Sequence, residues 1–570
     1  MKIKFQSLWT IATSAIILGS QSTWSSVSTE TKSQLHQEMN FISNVYRTQY
    51  APRFWKEKTF SWNLAAETDL AHQKIDAAET AFDYRKALVD FLNSTKDYHV
   101  GYRFISTESS SLPLQLKTLQ DKTYIAWIDR TKLSEKVFPF RPGDQILAIN
   151  NQKIAEARSE LAKYLGSNVT STDQSLVDLR LTARSASKNI PVPRGPVLFS
   201  IQRQTDSKVV NHQLIWEYTP EQIPGIFLKK NVQNFPVQKT GFRFSSPLML
   251  SPQVDDLTSR SGFSAGSFGL GERNSFLPNF GPRIWETPAN SIFDAYIYAN
   301  PQGKLIGVVR IPGYIQPNYN ESIKEFAGII QHMQNITSAL VIDQLNNPGG
   351  SVFYLYTLAS MLTDTSLTTP RHRMGLNAAG AAECVQLLKQ LEPIKNEEDA
   401  KKLDGTEDLS GYPASYSLVA GMRDFCQFYL SEFQEGKKFS DPYHVWGIDR
   451  INASQKASYT KPILVLVNEL DFSGGDFFPA ILQDNHRATI VGTRTSGAGG
   501  YVNRVQIPNS FGLELFSFTG SIAERVDLNP IENLGIQPDV ELPFTAEDLG
   551  QNFKNYVNEI QTLLQKKLTP

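Results

Sequence analysis

Apolar positions along the chain fall into three successive regimes. Over 30–104 they recur every three or four residues, as in "QLHQEMNFISNVYRTQYA" and "AETAFDYRKALVDFLNS", the spacing that lines one face of a helix. The pattern then shortens to alternation in "LPLQLKTL" and "TYIAWID", followed by "FPFRPGDQILAINNQKIAEA". In that segment Pro142-Gly143-Asp144 predicts a turn, Ile146 to Ile149 a strand, and Asn150-Asn151 a tight turn ahead of a helix. This turn–strand–turn order looks like the signature half of a PDZ domain, a fold that can take an extended peptide by strand addition. Residues 23–104 are therefore expected to be a helical region and 105–220 a PDZ-like module.

From residue 303 strands and helices alternate. "KLIGVVRI", "SALVIDQ", "PILVLVN" and "ATIVGT" read as strands, separated by helical stretches such as "ESIKEFAGIIQHMQ". "PILVLVN" is a continuous apolar run, as expected of a strand buried on both faces. The alternation predicts a layered α/β core over 301–548, with a polar helical insertion at 376–440 and a C-terminal helix at 549–570. Between module and core, 221–300 is rich in Ser, Gly and Pro with little periodicity. Such a stretch is expected to be an inter-domain linker, or a segment that covers something and is later cut.

Composition narrows the function classes. Across 570 residues, 41% are hydrophobic and 20% charged, with a formal charge of −1; that is a globular protein with ample core and no basic field for nucleic acid or anionic lipid. Two cysteines, Cys384 and Cys426, cannot make a disulfide framework and are expected as two free thiols or a single bridge. The N-terminus, "MKIKFQSLWTIATSAIILGSQSTWSS", has a basic start, a short apolar run, and small residues Ser20 and Ser22 at the spacing of a cleavage site. Residues 1–22 are expected to be a signal peptide, the protein exported to the periplasm or beyond, and the mature chain without a membrane span.

The candidate chemistry centres on "VNELDFSGGDFFPAIL", where Ser473 stands between an apolar strand and a helix. A serine hydroxyl needs a base. No lysine occurs from Pro462 to Phe553, and His486 lies 13 residues further along the same helical pattern, roughly 20 Å away at about 1.5 Å per residue. Of the remaining histidines His99 stands out, in "STKDYHVGYRF", where a turn after a helix can aim its imidazole inward. A histidine base needs an acceptor. Glu524, Asp527, Glu532 and Asp539 are candidates, with Glu532 first because Pro530, Gly535 and Pro538 frame it in rigid turns. Backbone N–H donors for an oxyanion are expected from Gly474 and from Gly349 or Gly350 of "NNPGGS". The order His…Ser…Glu, and Asp471 in place of a glycine, exclude the G-x-S-x-G elbow of α/β-hydrolases. No metal-binding or nucleotide-binding pattern occurs, and no cofactor is expected.

Together, "VIDQLNNPGGSVFYLYTLASML", "VNELDFSGGDFFPAILQDNHRATIVGTRTSGAGG" and "IENLGIQPDVELPFT" resemble the tail-specific, C-terminal-processing serine peptidases. The resemblance spans most of the chain and is weakest over 160–290 and 376–440. Typical members use a Ser–Lys dyad, whose lysine would fall at Ala498 in "SGAGG". The branch this chain is most similar to implies instead a Ser–His–Glu triad, placed on Ser473, His99 and Glu532. It also implies a crotonase-like (ββα superhelix) catalytic core, homodimerisation, and an internal segment that inhibits the zymogen until self-cleavage. The expected activity is cleavage of protein substrates through an acyl-enzyme. The rival expectations are a non-catalytic ligand carrier on the same fold and a scaffold acting through the PDZ-like module.

Overall fold

Burial of the central strands on both faces is what organises the molecule, seen here in a computed structural model that describes residues 27–222, 248–250, 255–258, 268–403 and 409–568. The expected signal peptide, 1–22, lies outside the described residues, as does much of 221–267. Among the described residues the main sheet has seven strands, in the order Trp285–Glu286, Ala295–Ala299, Leu305–Arg310, Ala339–Asp343, Ile463–Val467, Thr489–Gly492 and Val540–Glu541. The last five run parallel, and the first two add antiparallel at one edge.

Strands Ala339–Asp343 and Ile463–Val467 are buried along their whole length. Their side chains alternate between two cores. Ile342, Val465 and Val467 face helices Tyr319–Ile336, Val352–Ser360 and Gly474–Asp484, while Val341, Leu464 and Leu466 face the C-terminal helix Lys554–Leu568. Burial on both faces is why these segments read as unbroken apolar runs rather than alternating ones. The 376–440 insertion is built on helices Ala378–Leu391 and Tyr416–Gln434, which bring Cys384 and Cys426 together as free, buried thiols.

The linker expected over 221–300 needs correction at its C-terminal end. Residues 285–299 carry two strands of the main sheet, and Phe268, Phe276, Leu277 and Phe280 are buried against it with Tyr296 and Tyr298. The aromatic side chains supply the burial, while the intervening Gly and Pro residues hide the period.

Upstream, strands Leu114–Leu119, Lys122–Ile128, Gln145–Ile149, Pro196–Gln202 and Val209–Ile215 form an antiparallel sheet with helices Ile154–Ala162 and Thr170–Thr182. This is the PDZ-like module. The second helix closes on its edge strand, where the Thr118 N–H donates to Asp178 at 2.6 Å. Four helices, Thr29–Gln49, Arg53–Phe60, Leu64–Ala77 and Ala81–Ser94, precede the module, and the first, third and fourth share a core with Phe511, Leu513, Phe516 and Phe518. Strand Gly101–Phe104 then pairs antiparallel with Leu513–Thr519, setting Gly101 opposite Ser517. That pairing carries the preceding turn, and His99 with it, into the α/β core.

Candidate active site

Ser473 adopts φ 60° and ψ −108° at the start of helix Gly474–Asp484. A non-glycine residue there stores about 1–3 kcal/mol of strain and persists only where its surroundings over-determine it. They do so here. The Ser473 N–H donates to Asp476 at 2.7 Å, and the Phe472 N–H donates to the Asn347 carbonyl at 2.8 Å. Asp476 also accepts from Thr495, Gly497 and Ala498 at 2.5, 2.8 and 3.0 Å, which ties the "SGAGG" loop to the same helix. Ala498 is wholly buried in an apolar cluster with Tyr98, Leu470 and Phe472, so the position expected of a family lysine holds a methyl group.

The "NNPGGS" turn is locked onto the serine turn through Asp471, whose carboxylate accepts from the Asn347 and Asn468 N–H groups at 2.8 and 3.1 Å. Gly350 has φ 149°, and a Cβ on it would lie 2.2 Å from the backbone of Tyr314, so only glycine fits. The Gly349 N–H donates to Asn347 Oδ1 at 2.9 Å. Gly350 N lies 3.2 Å from where a Cβ of Gly474 would stand. Of the two glycines left open by the sequence, Gly350 is thus the one whose amide lies beside Gly474 without being taken by Asn347. Residues 248–250 run antiparallel along 349–351, with Met249 opposite Gly350.

His99 meets the serine directly: Nε2 lies 2.7 Å from Ser473 Oγ, and both residues are fully buried. The imidazole is aimed by its backbone. The His99 N–H donates to Asp97 Oδ1 at 2.8 Å, and Ser517 Oγ donates to the His99 carbonyl at 3.0 Å. Burial pushes the imidazole down to about 4, with Asp97 opposing and Lys56 adding to the fall. His99 is therefore neutral at physiological pH, the form a general base must have.

Glu532 is buried in the same cluster, and Asp97, His99 and Glu532 bring potential ligand atoms within 4.8 Å of one another. Its carboxylate does not, however, bond the imidazole. One oxygen accepts from the Gly499 N–H at 3.0 Å and the other is in contact with the Lys56 ammonium, while His99 Nδ1 has no hydrogen-bond partner. A Cβ on Gly499 would lie 2.2 Å from Glu532 N, so the loop comes this close only as glycine. Burial, then the neighbouring Asp97, push the Glu532 carboxyl up, against the pull of Lys56 and the Gly499 N–H.

Ser473, His99, Glu532, Gly474 and Gly350 thus converge. The other candidates do not: His486 sits beyond the C-terminal end of the serine helix, and Glu524 pairs with Arg373. Two neighbours were not read from the sequence. Asp97 would have been suggested by its two-residue spacing from His99. Lys56 carries no local signal, since a lysine in "RFWKEKTF" reads as solvent-facing.

Residues 305–542 match Peptidase family S41 and residues 108–223 match a PDZ domain. An uncharacterized protein of Chlamydia muridarum is 36% identical over 563 residues, covering 92% of each chain. The crystal structure of mature CPAF superposes with a TM-score of 0.81 at 31% identity, covering 95% of this chain and 98% of that one. The structure of mature CPAF complexed with lactacystin gives 0.80 at 32% identity, over 95% and 99%. The chain is a serine-type peptidase and belongs to peptidase family S41.

Proposed function

We propose that the protein is an exported serine endopeptidase acting through Ser473, His99 and Glu532 and made as a self-processing zymogen. The observation that carries the catalytic reading is the buried 2.7 Å contact between His99 Nε2 and Ser473 Oγ at a strained strand-to-helix turn. His99 takes the hydroxyl proton as Ser473 Oγ attacks the substrate carbonyl. The oxyanion forms against the Gly474 and Gly350 N–H groups, where each donor is worth about 2.7–4 kcal/mol, and at the positive end of the helix dipole. Protonated His99 then gives its proton to the leaving amine, and the acyl-enzyme is hydrolysed by water that His99 deprotonates in turn. Glu532 supports the imidazolium formed in each half-reaction.

The zymogen reading is supported by the backbone of 248–250, which lies along 349–351, the edge on which an extended substrate would add. Nearby, Asp256 forms a buried bidentate pair with Arg180 of the PDZ-like module, at 2.6 and 2.7 Å. Export rests on the 1–22 pattern and homodimerisation on the family resemblance; N-terminal sequencing of secreted protein and sedimentation test them.

The catalytic test exposes full-length protein and its Ser473→Ala and His99→Ala variants to a fluorophosphonate probe, with intact mass followed over time. Labelling confined to the protein with both residues, with self-cleavage within 221–290, is expected. Equal labelling of Ser473→Ala would sink the nucleophile. Labelling without self-cleavage would keep the peptidase and discard the zymogen.

A further inference from the structure

Lys56 is fully buried, and all three donors of its ammonium are used. One contacts Glu532, and the others donate to Asn533 Oδ1 and the Lys96 carbonyl, each at 2.7 Å. Asn533 Oδ1 is held in turn by Trp55 Nε1 at 2.9 Å. The eight-residue helix Arg53–Phe60 therefore delivers a positive charge to the carboxylate proposed to support His99. A buried lysine beside a catalytic carboxylate is too costly to be incidental.

The surrounding charges show what it does. Asp97 does not bond His99 Nδ1; its oxygens accept instead from the His99 N–H, Tyr50 Oη at 2.9 Å and Thr519 Oγ1 at 2.7 Å. Glu532 faces Asp97, which disfavours its charge, and Lys56, which favours it; Tyr50, its hydroxyl pushed up by burial, Asp97 and Glu532, stays neutral. His99 is the remaining titratable neighbour in the cluster, and Arg494 binds the Asn533 and Leu534 carbonyls rather than the carboxylate.

We infer that Lys56 is a positioning residue: it favours the charged form of Glu532 and holds it in place beside His99, and so sets the pH range over which Glu532 supports the imidazolium. This rests on the reading of Ser473 and His99 as nucleophile and base. It assigns the triad a fourth member that acts through the third, entering from the N-terminal helical region rather than from the loop where related enzymes place their lysine. Without the ammonium, burial and Asp97 act on Glu532 against the Gly499 N–H alone, so that it takes a proton at higher pH and no longer supports the imidazolium.

The test is the pH dependence of Ser473 labelling by a fluorophosphonate, measured on full-length Lys56→Met, Lys56→Arg, Glu532→Gln and the Lys56→Met/Glu532→Gln double variant. Wild-type labelling, absent in Ser473→Ala, establishes the underlying reading first. Lys56→Met is then expected to move the acid limb upward by about one unit or more, a loss of about tenfold on that limb that is recovered at higher pH. Lys56→Arg keeps the wild-type profile. In the Glu532→Gln background, adding Lys56→Met leaves only the smaller shift that comes from the charge of Lys56 on His99 itself. A uniform loss without a shift in Lys56→Met, or an unchanged profile, overturns the inference. So does a shift of undiminished size in the Glu532→Gln background, which would mean that Lys56 acts on His99 alone and not through Glu532. The double variant buries neither charge, so it reports even if Lys56→Met alone fails to fold.

Discussion

Two buried lysine–glutamate pairs join the outer regions of the chain to the catalytic core, and they behave in opposite ways. Lys117, on the edge strand of the PDZ-like module, contacts Glu469, four residues before Ser473; their side chains are 10% and 9% exposed. Lys56, from the N-terminal helices, contacts Glu532, and neither is exposed. Glu469 is also met by hydroxyls, Ser175 Oγ at 2.7 Å and Thr493 Oγ1 at 3.0 Å. Burial pushes its carboxyl up, but Lys117 and the Ser175 bond outweigh it and the net shift is downward. Glu532 has the same kind of cation, yet its net shift is upward because Asp97 adds to its burial. A lone pair dressed with hydroxyls fastens two regions together. A pair set beside a second carboxylate and an imidazole is poised to respond to a proton.

Glu532→Gln breaks the comparison at its most sensitive point. The amide keeps the shape but cannot support the imidazolium, and loss of that charge from a triad costs about 10⁴-fold in rate, or about 5.5 kcal/mol. Folded Glu532→Gln protein should retain Ser473 labelling far below wild type, and wild-type turnover would place the support elsewhere. Lys117→Met is expected to act on stability instead. It strands Glu469 in a buried site, at about 3–5 kcal/mol, read as a lower denaturant midpoint with the labelling pH profile unmoved. An acid limb that moved in Lys117→Met would erase the distinction between the pairs.

How far these roles could be read from the sequence follows the same division. The Ser473 turn, the Gly349-Gly350 turn and His99 are local patterns, each a breaker placed at the end of a periodic run, and the fold gathers them. Glu532 was preferred because prolines and glycine frame it, and it is found buried, though bonded to Lys56 and Gly499 rather than to His99. Lys56 was illegible because its burial is made by residues far away in sequence: Lys96, Glu532 and Asn533. The 268–300 stretch reads as part of a linker for a related reason. Its aromatics do not alternate in sequence, yet they face one sheet surface once the Gly and Pro turns fold them back.

His99 itself sharpens the comparison through acid stability. Its folded-state value of about 4 lies below the 6.5 of an unfolded chain. Between those values the unfolded state binds more protons, so stability rises with pH. The contribution is fully present above 6.5, is lost as pH falls toward 4, and amounts to about 3 kcal/mol. A His99→Gln variant should lose that part of the acid sensitivity while keeping whatever Glu469 and the other carboxylates contribute below it. An unfolding free energy with the same slope between pH 6.5 and 4 in both proteins would show that His99 is not the buried neutral group that the structure places at Ser473.

The smallest effect is expected where an ion pair joins the same strands at the surface. Arg103 and Glu514 connect Gly101–Phe104 to Leu513–Thr519 with bonds of 2.7 and 3.0 Å, but their side chains are 37% and 34% exposed. Water screens such a pair, and replacing Glu514 with Gln should cost less than about 1 kcal/mol. Catalysis should be unaffected, because the position of His99 is held by the antiparallel pairing of the two strands, by Ser517 on its carbonyl and by Asp97 on its N–H. A loss of Ser473 labelling in Glu514→Gln, with stability unchanged, would mean that the surface pair aims the histidine. Burial would then no longer separate the pairs that position catalytic groups from those that only decorate the fold.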